Sequence, residues 1–180
     1  MEANESQPNA DLFFAIAEWD GKSKQSITQI YASYCNSAGL LTALLDLFSS
    51  PKVQSGATWL FKKHCETQTV QLDIDQSRDF HAALENLVSW EAQLHVLQSI
   101  PLLNNVKWNS DKLLPFFDRG LSSENKFVRA WSYYAYAELA ANIPSLRQEA
   151  ERVIAAGFEN ENAGSIKARL RKARSRLDES

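Results

Sequence analysis

Cysteine, methionine, proline and glycine are all scarce in this chain, at 2, 1, 5 and 6 of 180 residues. Cys35 and Cys65 have no Cys-x-x-Cys spacing and no Cys/His cluster around them. That argues against a disulfide scaffold and against a metal site. They read as two small buried hydrophobes in a reducing compartment, although a single Cys35–Cys65 disulfide stays open at this point. So few glycines and prolines supply too few turns for a many-stranded β fold. Long apolar runs are missing too. The run 12–17 is six residues, too short for a signal-peptide core and far too short to span a bilayer, and the polar, acidic stretch before it has no basic region. The expectation is a cytoplasmic protein with no membrane contact. A net charge of −3 gives no large field of one sign over the whole surface. There is no GxSxG, no glycine-rich phosphate loop, no HExxH and no Walker-type lysine, so nothing marks an enzyme, a cofactor or a metal. The segment Asp73-Ile74-Asp75-Gln76-Ser77 resembles the start of a calcium loop. Arg78 then stands where that loop needs glycine, and Leu84 where it needs a bidentate glutamate, which excludes it.

What the chain does have is apolar material at helical spacing. Hydrophobic residues make up 44%, enough for a continuous core. Four stretches read as versions of one helix: Val53-Gln54-Ser55-Gly56-Ala57, Trp90-Glu91-Ala92-Gln93-Leu94, Val128-Arg129-Ala130-Trp131-Ser132 and Ile166-Lys167-Ala168-Arg169-Leu170. Their starts lie 37, 38 and 38 residues apart, the length of a helical-hairpin repeat. Counting each start as position 0, positions 0, 4 and 7 form one stripe, and position 2 is small in every copy. Helices are predicted over 10–19, 25–35, 40–48, from 51 to 65, 78–88, 90–100, 111–118, 126–141, 145–156 and 165–177. Ser50 caps the fourth with Pro51 at its first position, and Ser77 or Asp75 caps the fifth. Gly120 ends the seventh and Gly157 ends the ninth as a left-handed residue. Residues 70–75 alternate apolar and polar but, with no partner strand in view, read as an extended connection.

Val128-Arg129-Ala130 and Ile166-Lys167-Ala168 resemble the aliphatic-basic-alanine opening of the second helix in a HEAT repeat, and the armadillo type more loosely. Gln54 and Glu91 stand at the basic position in the other two copies, and of the usual proline and aspartate signposts little beyond Pro51 is present. The resemblance covers residues 40–177. It implies an all-α fold, a right-handed α-α superhelix of stacked antiparallel helix pairs with about eight to ten helices. Second helices would line the concave side. After a disordered lead-in at 1–9, a single α-solenoid domain over 10–180 would hold units at about 10–37, 40–66, 78–103, 110–141 and 145–177.

Two features bear on function. Around Arg129, the segment 131–136 holds Trp131, Tyr133, Tyr134 and Tyr136, more aromatic surface than packing requires, with Glu138 beyond. In 163–180 six basic residues face two carboxylates, so the rest of the chain carries a net −7. Charge on the last helix either caps the array or docks an acidic surface. The expected partner-binding residues on the concave face are Lys63, Arg129, Tyr133, Tyr136, Lys167 and Arg171, with Lys62 and His64 extending the strip. The leading expectation is a non-enzymatic protein-interaction module. The alternative is a nucleic-acid-binding protein resembling the DNA-repair glycosylases of HEAT-like build. His64, His81 and His95 show no ligand spacing and read as helix-surface histidines. Partner identity and oligomeric state are not encoded in any motif.

Overall fold

The computed structural model describes residues 7–104 and 106–179, with side chains from Ala10 onward. These residues form ten α-helices: α1 (Gln7–Ala17), α2 (Lys24–Tyr34), α3 (Leu40–Leu47), α4 (Gln54–Thr67), α5 (Ile74–Ala83), α6 (Trp90–Ser99), α7 (Ser110–Leu121), α8 (Lys126–Asn142), α9 (Arg147–Asn160) and α10 (Gly164–Asp178). The all-α expectation holds. Two-residue strands β1 (Val70–Gln71) and β2 (Leu103–Asn104) pair in parallel, Val70 opposite Leu103. This corrects the reading of 70–75 as unpaired: the partner lies 33 residues on, in the matching connection of the next unit. Of the expected lead-in, 1–6 lies outside the described residues, and residues 7–9 already belong to α1.

The helices carrying the repeat meet in chain order. α4 packs on α6, α6 on α8, and α8 most extensively on α10; α3, α5 and α7 also touch in order. α8 is the hub, in contact with α6, α7, α9 and α10. The burial pattern explains the row. Val53, Ala57 and Leu60 are buried, as are Val128, Ser132 and Ala135, and Ile166, Leu170 and Ala173. The second copy departs from this stripe. Trp90 stays 46% exposed and Leu94 is only partly buried, so of the stripe α6 buries Leu97 alone, with Ala92, Val96 and Ser99 beside it. The reason is polar. Buried Gln54 donates to the carbonyls of Phe48 and Asn86 and accepts from the N–H groups of Val88 and Ser89. That carboxamide occupies the entry to α6, so Trp90 remains outside. Aromatic rings continue the core: Phe48 meets Phe61 edge-on at 5.4 Å, Phe61 stacks on Phe80 at 5.9 Å, and Phe117 meets Tyr136 at 5.6 Å.

Several helix ends differ from their sequence expectations for local reasons. α4 starts at Gln54, because residues 51–53 form a turn and Val53, with no side-chain cap, precedes the helix. α5 starts four residues early: Asp73 accepts from the Gln76 N–H while the Gln76 side chain accepts from the Asp73 N–H, a reciprocal cap. Asp75 and Ser77 therefore lie inside the helix. α7 runs through Pro115, whose missing hydrogen bond would fall on Asp111 at the exposed first turn, where water can take over. Gly120 and Gly157 end nothing. Both are inside helices and neither has a positive φ. They mark close crossings: a Cβ at Gly120 would run into Ser132, and one at Gly157 would sit 2.7 Å from the Tyr133 ring and 2.8 Å from Leu170. The glycine that does need a left-handed backbone at a helix end is Gly39, at φ 77°, just before α3.

Candidate functional site

α8 buries most of its surface, including Val128, Ala130, Tyr133, Tyr136 and Leu139. What it leaves partly open is the row Phe127, Trp131, Tyr134, Glu138, at helical spacing. α10 lies alongside. Its buried stripe is Ile166, Leu170, Ala173 and Leu177, and its cations flank that stripe on both sides. The two rows interlock. The Arg169 guanidinium sits 3.6 Å from the centre of the Trp131 ring and 5.5 Å from that of Tyr134, and those two rings meet edge-on at 5.8 Å. Arg176 Nε donates to Glu138 Oε2 at 2.9 Å, and both side chains are mostly shielded. Arg174 lies over Phe158 of α9.

Not every cation is matched. Lys167, Arg171 and Lys172 have no carboxylate partner among the described residues. Arg169 has no hydrogen-bond acceptor there either, and the desolvation of its stacked position holds its pKa below the ordinary arginine value. Beside it, Tyr134, Arg171, Lys172, Ser175, Arg176 and Glu179 line a shallow depression of about 300 Å³. The site is therefore a flat aromatic surface edged by cations with unfilled donors. It can hold anionic groups.

The six residues expected from sequence do not meet on one accessible face. Tyr133 and Tyr136 are 8% and 3% exposed, so both fill the core, and desolvation raises their pKa values, Tyr136 to about 12. Arg129 is consumed internally. It forms a two-point ion pair with Glu161 at 2.7 and 3.2 Å and donates to the carbonyls of Ser123 and Glu124. Lys63 is half-buried on α4, and its neighbour Lys62 pairs with Glu66. Lys167 and Arg171 are on α10, and Arg171 lines the depression. Reasoning from the sequence singled out the aromatic segment and the basic last helix, but named Tyr133 and Tyr136 as contacts in place of Trp131 and Tyr134, and left Arg169, Lys172 and Arg176 out of the expected contacts. The available signal was that Trp131 and Arg169 occupy the same position in successive copies of the repeat, as do Glu138 and Arg176.

The histidines are joints between helices instead of surface groups. His64 Nδ1 lies 3.2 Å from Tyr31 Oη, and His95 Nδ1 lies 3.2 Å from Thr58 Oγ1. His81 Nδ1 is 2.6 Å from the Ser77 carbonyl, which only accepts, so Nδ1 carries the proton and Nε2 accepts from the Asn109 N–H. Desolvation lowers the pKa of all three, that of His95 to about 4. Cys35 and Cys65 are both free thiols, and burial pushes Cys65 up to about 12, which leaves it unreactive. No cluster of three or more His, Cys, Asp or Glu side chains suited to a metal occurs among the described residues. No helix among them is long and apolar enough to cross a membrane.

Fold and surface together define an all-α protein with an aromatic-basic face on its last two repeat helices. Comparison of the chain with family models, curated proteins and solved structures returns no match.

Proposed function

We propose that this chain is a short HEAT-like solenoid that acts as a non-enzymatic protein-interaction module, with its partner surface on the α8–α10 face. The order of helix contacts supports the architecture. So does the spacing of the polar links between helices: Tyr31 to His64, Thr58 to His95, Ser55 to Ser89 and Glu138 to Arg176 join residues 33, 37, 34 and 38 apart, close to one repeat. Thr58 and His95, and Glu138 and Arg176, are equivalent positions of successive copies, whose contact is what stacking of like units requires. On this reading α4, α6, α8 and α10 line the concave side.

The single observation that carries the functional reading is the Arg169–Trp131–Tyr134 stack beside uncompensated Arg171 and Lys172. Trp, Tyr and Arg dominate interface hot spots: the rings bring large contact area with few rotatable bonds, and the guanidinium brings a fixed fork of donors. Nucleic acid is the weaker alternative. Its phosphates need a broad basic surface, and the chain outside residues 163–180 carries a net −7.

Affinity capture tests the reading by comparing the native protein with a folded Trp131→Ala/Lys172→Glu variant. A protein retained by the first and lost by the second supports it. Identical captures from both remove the α8–α10 face as the partner surface.

A further inference from the structure

We propose that Arg169 and Lys172, in line with Arg176 and with Arg171 at their flank, form a carboxylate-binding row that seats an acidic segment of a partner protein along α10. This rests on the interaction-module reading and adds the partner's chemistry to it. Arg169 is already ordered by its stack on Trp131, so little side-chain freedom remains to be lost on binding, and its donors have no acceptor among the described residues. Residues 169, 172 and 176 follow one another at spacings of three and four and share one side of the helix. The last of these, Arg176, already binds a carboxylate: Glu138, supplied by the neighbouring helix α8. The row is thus built to take carboxylates from a chain lying beside it, and the molecule fills only one end of it.

Charge decides the class of partner. The densest group of cations without a carboxylate partner is on α10, a helix of 15 residues, roughly 22 Å long, whereas the others among the described residues, such as Lys24, Lys52, Lys107 and Lys126, are scattered singly over the chain. On α4 Lys62 is paired with Glu66, and the chain outside residues 163–180 carries a net −7. A duplex draws its affinity from phosphate contacts along its length, and the strip supplies them over one helix only. A short acidic peptide fits inside the basic strip. Glu179 at one end of the depression repels a carboxylate, which places the acidic side chains toward Arg169 and leaves the Tyr134 edge for an apolar one.

Fluorescence anisotropy tests this with a labelled peptide of Glu-Ala-Ala-Glu repeats, its Gln-for-Glu counterpart, and a labelled DNA duplex. The expected result is that the acidic peptide binds and the Gln peptide does not. Arg171→Glu/Lys172→Glu, confirmed folded by its melting curve, should weaken the acidic peptide by about tenfold or more. Arg169→Lys, which keeps the charge and loses the two-point fork, should weaken it several-fold. Equal binding of the Gln peptide overturns the carboxylate row but leaves the interaction module standing. Tighter binding of the duplex with a steep salt dependence overturns both. If neither peptide nor duplex binds, the acidic-partner proposal is overturned and affinity capture judges the module alone.

Discussion

Arg129 and Arg169 stand at positions 1 and 3 of their copies of the pattern, two residues out of register, and one is scaffold while the other is surface. Arg129 finds Glu161 and two carbonyls and so ties the α7–α8 loop to the end of α9. Removing it leaves a shielded carboxylate and two carbonyls without their donor. Arg129→Ala is expected to lower stability by about 2 kcal/mol, or about 4–8 °C in Tm, as read by thermal melts. An unchanged Tm would mean the ion pair contributes nothing net. The cysteines separate on similar grounds. Cys35 is half-buried, whereas Cys65 is buried with its thiol pushed up to about 12. A thiol reagent at neutral pH should modify Cys35 in the native protein and reach Cys65 only on unfolding; mass spectrometry of the early product would reveal the opposite order.

At the scale of the element, Gly157 tests which of two opposed effects wins. In an exposed helix, Gly→Ala gains up to about 1 kcal/mol from backbone propensity. Here the added methyl would stand within 3 Å of Tyr133 and Leu170, where α9 crosses α8 and α10. Overpacking of this kind costs about 1–3 kcal/mol. Gly157→Ala should therefore destabilise the protein, whereas Gly164→Ala, with open space around it, should not. A pair of chemical denaturation curves decides it, and a stabilised Gly157→Ala would show that the crossing is looser than drawn. Most helices were legible from sequence because each carries an apolar stripe with a polar start. Their ends were less so. The Asp73–Gln76 cap competed with equally good serine signals, and Gly120 and Gly157 match the pattern of terminators while serving as contact points for another helix.

The whole molecule responds to pH through three histidines held neutral between helices. Their folded pKa values lie below the ordinary 6.5, that of His95 near 4. A group depressed in this way contributes its full stability above pH 6.5. The contribution is lost as the pH falls from 6.5 toward 4, where the unfolded chain binds protons the folded one refuses. For His95 alone the loss is on the order of 3 kcal/mol. Tm measured from pH 7.5 to 4.5 should fall steeply below 6.5, and His95→Gln should flatten the curve; a curve that stays flat through this window refutes the buried-neutral assignment. Helix order also predicts a gradient of protection. α8 packs extensively on four helices, whereas among the described residues α1 meets mainly α2 and α3, and each over a much smaller contact. Amide exchange should be slowest in α8 and fastest toward α1, as hydrogen-exchange mass spectrometry would register.

The sequence by itself determined that the chain is helical, that similar apolar stretches return at spacings of 37–38 residues, and that positive charge gathers on the last helix, because periodicity and composition are properties of the linear chain. The tertiary structure decided which aromatic and basic side chains face outward. Tyr133 and Trp131 are two residues apart and equally plausible as contact groups, yet α10 and Gly157 close over the first while Arg169 stacks on the second. That choice depends on the angle at which a neighbouring helix crosses, and such an angle is set by packing between residues far apart in the chain.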